Sequence, residues 1–269
     1  MTVKAIVTHL EPTADRRDMP HVSCALSLAE DFGAHLTALI FATEVMEAGA
    51  QPSEGGPASR EAAATDELRD RAAKRGVSCE IRGRSSFAHG FPDVFADHAR
   101  LNDLSVIAYG ASPTAAQRML AAGAIFSSGR PALMVPEAVP YAGPVQRVAI
   151  AWDATPASVR AVHNALPLLL RAEETFILSV TDDKEIRGGQ SGIELAHLLA
   201  RHGAKASFVA VAKGRQGVFD ALTEATIRSQ AELLVMGCVS HSPLYQMVFG
   251  SVSSDLLRGR ATMAVLASA

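Results

Sequence analysis

The sequence predicts an α/β protein made of two doubly wound halves, each a parallel sheet with helices on both faces. Short apolar, β-branched runs alternate with longer segments of helical period, and this alternation is completed twice. The second observation is an internal repeat. Tyr109-Gly110 and Met236-Gly237 both close a strand-like run, with Gly123 and Gly250 following, and the two pairs share one offset (237 − 110 = 127; 250 − 123 = 127). Parallel neighbours need a crossover connection, and the intervening helices supply it.

In the second half, Arg147–Trp152 reads as a buried strand, and Thr155-Pro156 offers a cap with proline at the first helical position. Val159, Val162, Leu166 and Leu169 then form one helical stripe, which Pro167 is expected to kink or end. Thr175–Val180 is the next strand, and Ile193, Ala196 and Leu199 mark a helix stopped by Gly203. Ala206–Val211 is a third strand, followed by a helix on Val218, Leu222 and Ala225. Glu232–Met236 is the fourth strand, Val252–Arg258 a helix, and Thr262–Leu266 the last strand.

The first half runs the same course, with strands at Val3–Thr8, His35–Ala42, Val77–Arg82, Leu104–Tyr109 and Pro131–Val135. Val22, Leu26, Ala29 and Phe32 line one helix that stops at Gly33, and Ala58–Arg75 is a charged, alanine-rich helix. Gln51–Pro57 reads as a loop, and Glu137–Gln146, with two prolines and a glycine, as a linker. The expected domains are 1–138 and 145–269, packed as an internal pseudo-dimer because exposed sheet edges invite pairing.

Composition narrows the function. Apolar residues make up 48% and the formal net charge is −3, which suits a globular core and argues against nucleic-acid or anionic-membrane partners. No apolar run approaches the roughly 18 residues of a membrane span. Three scattered cysteines fit neither a disulfide framework nor a zinc site, and point to a reducing, cytoplasmic setting.

The stretch from Gly237 to Ser253 is the richest in chemistry. A glycine at a strand end permits close backbone approach, and Gly250 followed by Ser251 and Ser253 offers backbone N–H groups, a helix start and two hydroxyls, a setting suited to phosphate. A plain strand-to-helix turn with a serine cap explains the same residues equally well. Asp153, after the first strand of this half, either caps the next helix or accepts from a ligand in the crevice where the winding reverses.

These residues resemble the universal stress protein family in its tandem form. The family loop has Gly, two residues, Gly, nine residues, Gly and a hydroxyl residue. Here the positions are Gly237, Ser240 in place of the second glycine, Gly250 and Ser251. The resemblance implies five-stranded sheets of order 3-2-1-4-5 and an adenine nucleotide, ATP with or without magnesium. It assigns the ligand to Trp152, Asp153, Val180, Met236, Gly237, Ser240, Gly250, Ser251, Val252 and Ser253. Trp152 is bulky for this place and either stacks on the base or obstructs it. In the first copy the acidic position falls on Leu10, with Glu11 one residue away, and Ala124 and Phe126 replace the two hydroxyls. That half is therefore expected to be plugged and to serve as a structural partner.

Rival motifs are missing. No lysine precedes Ser or Thr as in a phosphate-binding P-loop, and neither Gly-x-Gly-x-x-Gly after a strand nor Gly-x-Ser-x-Gly occurs. His197 and His202 are off the helical spacing of zinc pairs, Cys238 and His241 read as loop-lining residues, and Asp182-Asp183 as a polar loop. No lysine or arginine lies between Gly237 and Ser253, so the loop offers little to accelerate phosphoryl transfer. The expectation is a stress-response binding module, at most a slow ATPase, with an unidentified protein partner and a homodimer compatible with the sequence. The alternative is a nucleotide-independent interaction protein with both sites degenerate.

Overall fold

The structure, a computed structural model, describes residues 2–11, 19–40, 57–83, 90–137, 144–183, 186, 191–239 and 252–269. The first half contains β1 (Ala5–Leu10), α1 (Pro20–Phe32), β2 (His35–Ile40), α2 (Pro57–Lys74), β3 (Cys79–Arg82), α3 (Phe91–Arg100), β4 (Leu104–Tyr109), α4 (Ala115–Ala122) and β5 (Ala132–Pro136). The second contains β6 (Arg147–Ala151), α5 (Pro156–Leu169), β7 (Glu174–Val180), α6 (Gly192–Arg201), β8 (Ala206–Val211), α7 (Val218–Arg228), β9 (Leu233–Gly237), α8 (Val252–Leu257) and β10 (Ala264–Ser268).

Each half has the expected order 3-2-1-4-5, and the two halves fuse into one ten-stranded sheet, β3-β2-β1-β4-β5-β10-β9-β6-β7-β8. All neighbours are parallel except β5 and β10. This antiparallel seam places Leu133 opposite Leu266, flanked by the pairs Met134–Val265 and Ala132–Ala267. Helices cover both faces. One apolar layer takes Leu26 of α1, Leu68 of α2, Leu169 of α5 and Leu199 of α6. The other takes Phe95 of α3, Leu120 of α4, Phe219 of α7 and Leu256 of α8.

Several local expectations are met for the reasons given. Thr155 caps α5 by accepting the Ser158 N–H, with Pro156 behind it, and Gly33 closes α1 in the left-handed region at φ 57°. Others are corrected. α5 runs through Pro167, which sits close enough to the C-terminus that only one late ladder bond is lost. β1 and β10 each lie about two residues later than their apolar runs suggested. α3 escaped the periodicity argument. α4 continues through Gly123 into a single π turn, Gly123–Ser127. The end of the strand read to Ala42, the loop at 51–56 and most of the linker lie outside the described residues.

The register also revises how the halves correspond. Leu133 and Leu266 match across the seam, Val106 pairs with Leu133 and Val235 with Leu266, while Thr8 pairs with Val106 and Ile150 with Val235. Counting on from these pairs, Glu11 is the counterpart of Asp153 (11 − 8 = 153 − 150) and Ala108 that of Gly237 (108 − 106 = 237 − 235). The acidic position of the first copy is thus Glu11 rather than Leu10, and the repeat read as Gly110 with Gly237 is out of register by two.

Candidate functional site

The winding of the second half reverses between β6 and β9, where strand ends in such sheets flank a crevice. A cleft opens there with about 570 Å³ of free space, its mouth included. Its described wall contains Ala151 at the end of β6 with Trp152 and Asp153 after it, Val180 at the end of β7 with Asp183 beyond, Met236 and Gly237 from β9, and Val252 at the start of α8. Six of the ten residues assigned from the sequence therefore meet around one space. Ser253 lies beside it on α8, and Ser240, Gly250 and Ser251 lie outside the described residues. Ile186, Val218 and Leu222 complete the wall. Sequence reasoning placed the last two on a helix stripe but had no means of telling that this stripe faces a cleft.

The chemistry at each position is specific. Asp153 Oδ1 accepts both the backbone N–H (3.0 Å) and the hydroxyl (2.7 Å) of Thr155, so Thr155 is the helix cap and Asp153 buttresses it. Trp152 donates its backbone N–H to Leu178 and accepts from the Ser179 hydroxyl through its carbonyl. Its side chain belongs to the apolar layer of α5 and α6, opposite the layer that holds Val180, Met236 and Leu222. Trp152 thus packs in this core layer while also lining the cleft.

Gly237 answers to packing. A Cβ there would lie 2.4 Å from the Ser158 nitrogen and 2.5 Å from the Ala157 carbonyl carbon, so the glycine lets the first turn of α5 close on the end of β9. Ser253 is 7% exposed, and its hydroxyl oxygen accepts the Val239 N–H at 3.1 Å, tying α8 to the chain leaving β9. Burial pushes the neighbouring Cys238 thiol up to about 12, with the Ser253 side chain pulling the other way, which removes the thiolate a nucleophile needs. Beyond β7, Asp182 accepts the backbone N–H groups of Lys213 (2.8 Å) and Gly214 (2.9 Å), and Lys213 Nζ lies 2.5 Å from Asp183.

At the same place in the first half, the described residues hold a buried histidine pair. His9 is fully buried, and its Nε2 accepts the Ala108 N–H at 3.1 Å, which puts the ring proton on Nδ1, 3.4 Å from Glu11 Oε1. His21 stacks on it at 4.4 Å and donates from Nε2 to the His9 carbonyl at 2.9 Å, while Phe95 meets it edge-on at 6.2 Å. Ala124 and Ile125 are buried and Phe126 packs on the same layer.

Solved structures superpose on this chain over nearly its whole length. A universal stress protein from Archaeoglobus fulgidus DSM 4304 superposes with a TM-score of 0.67 at 16% identity, covering 97% of this chain and 95% of that one. The chain has the tandem universal stress protein fold. A putative universal stress protein from Pseudomonas aeruginosa UCBPP-PA14 matches at 0.65 and 16% identity over 99% of this chain and 93% of that one. No family model and no curated protein matches the chain. Among the described residues, no helix of this universal stress fold is long and apolar enough to cross a membrane, and no group of three or more His, Cys, Asp or Glu is placed to hold a metal ion.

Proposed function

We propose that this chain is a tandem universal stress protein of the cytoplasm, with units at 1–138 and 145–269, that binds an adenine nucleotide such as ATP in its second half. The observation that carries the reading is the cleft at the β6–β9 switch point. Its apolar wall of Val180, Val218, Leu222, Met236 and Val252 suits a flat heterocycle, and Asp153 stands where a ribose hydroxyl or base amine can donate. The segment that follows β9 supplies Ser240, Gly250 and Ser251 for the phosphates. The buried histidine pair at the same place in the first half supports the second half as the binding half. Binding stabilises the second half by mass action and so converts nucleotide level into a change at a partner surface. The chain acts as a binding module rather than as an efficient enzyme.

The test is to denature the purified protein, look for released adenine nucleotide, and compare melting with ATP and AMP in the presence of magnesium. A shift that disappears in Val218→Trp, which fills the cleft, and in Ser251→Ala supports the reading. A nucleotide-independent interaction protein is the second reading, favoured because Asp153 and Ser253 already serve their own backbone. Absence of any shift with any nucleotide selects it.

A further inference from the structure

We propose that the open edge of β8 docks a second copy of this chain, the two strands meeting antiparallel about a two-fold axis at Phe208. This contact is independent of what the cleft binds. β8 (Ala206–Val211) is the outermost strand of the second half, and among the described residues no strand pairs with its outer side. The carbonyls of Lys205 and Val211 face inward, accepting the N–H groups of Thr175 (2.8 Å) and Thr181 (2.9 Å). Main-chain groups alternate sides along a strand, so Ser207 and Val209 also face β7. Ala206, Phe208 and Ala210 then aim their N–H and C=O groups at the open edge. Among the described residues, none of these outward groups has a hydrogen-bond partner.

The outward residues are symmetric about Phe208, with an alanine two positions before it and another two after. Turned antiparallel on itself, the strand sets Phe208 against its own mate and Ala206 against Ala210 of the second copy, each a pair that exchanges both main-chain bonds. These side chains share the face that α6 covers, so the two rings meet between small neighbours. Phe208 packs on Gly192 of α6, leaving no room there for a Cβ, yet both Phe208 and the adjoining Ile193 are exposed. β8 carries no charged residue, and Lys205 falls opposite Val211, so the ladder brings no like charges together. The other outer strand, β3, carries the Glu80–Arg82 pair, which favours β8 meeting its like. The β5–β10 seam joins the two halves of one molecule by the same antiparallel edge contact.

The experiment is analytical ultracentrifugation of the full chain from about 1 to about 100 μM, where a monomer–dimer equilibrium is expected. Phe208→Lys puts like charges on the axis and should weaken the dimer by about tenfold or more. Ala210→Lys should do the same, and serves if Phe208→Lys does not fold. Oxidative crosslinking then checks the register. A residue facing its own mate has Cα atoms about 5.5 Å apart, within disulfide reach, whereas Ser207 lies diagonal to its mate at about 7–8 Å. Phe208→Cys should therefore give a covalent dimer above the wild-type background, and Ser207→Cys should not. A chain that stays monomeric over this range, a dimer indifferent to both lysines, or crosslinking of Ser207→Cys in preference to Phe208→Cys overturns the proposal.

Discussion

A methyl group at position 237 has nowhere to go. The atoms it would meet are main chain of α5, which cannot rotate away as a side chain can. Gly237→Ala should therefore lower the urea midpoint by an amount equivalent to about 2–3 kcal/mol, within the range for overpacked cores. The glycine was legible in the sequence, but its reason was not, because the partner backbone comes from a helix some eighty positions earlier in the chain. His9 gives the second residue-scale prediction. Burial, then the neighbouring His21, hold its imidazole well below the ordinary 6.5. The unfolded chain then binds more protons than the folded one below that value, so stability falls as pH drops from about 6.5 towards 5. His98 shifts in the same direction, chiefly through desolvation. His9→Gln, which keeps an acceptor for Ala108, should flatten the slope of midpoint against pH in this window without abolishing it.

At the scale of elements, the start of α5 joins fold to site. Thr155 accepts from Ser158 while donating to Asp153, so one hydroxyl caps the helix and holds the cleft carboxylate. Thr155→Ala should cost about 1 kcal/mol in urea unfolding, the usual value of a lost cap, and should also weaken nucleotide binding by releasing Asp153. Thr155→Ser should restore both. This cap could be read from Thr155-Pro156 alone, because capping is local. So could the glycine stops and most strands. The errors have a common physical source: the ends of β1 and β10 and the run of α5 through Pro167 are set by tertiary packing, which overrides local preference. α3 went unnoticed although Phe95 and Ala99 form a buried stripe. The cleft residues Val218 and Leu222 had the right period but no visible reason to face a ligand.

The molecule behaves as one sheet. Beyond the antiparallel seam, the Tyr109 hydroxyl of the first half donates to the Leu257 carbonyl at the end of α8. A Cβ on Gly259, at φ +78°, would lie 2.6 Å from the Gly110 oxygen and 2.6 Å from Pro113 Cδ. The first half thus presses against the helix whose other end lines the cleft. Trp152 is the sole tryptophan and reports the second half, whereas far-UV circular dichroism reports both. The two signals should follow one urea transition, and Gly259→Ala should move both midpoints down together by the equivalent of about 2 kcal/mol or more. Separate transitions would show that the halves are independent. The duplication was legible in the alternation of elements. The fusion was not, since nothing local to β5 or β10 says which edge meets which.

With β5 and β10 joined, the sheet keeps two outer borders of unlike character. β3 carries the Glu80–Arg82 ion pair, while β8, Ala206–Val211, has no charged residue and leaves Phe208 partly exposed. Charge on a border strand discourages addition of a further chain. The β8 border therefore lacks the charge by which β3 discourages the addition of a further strand.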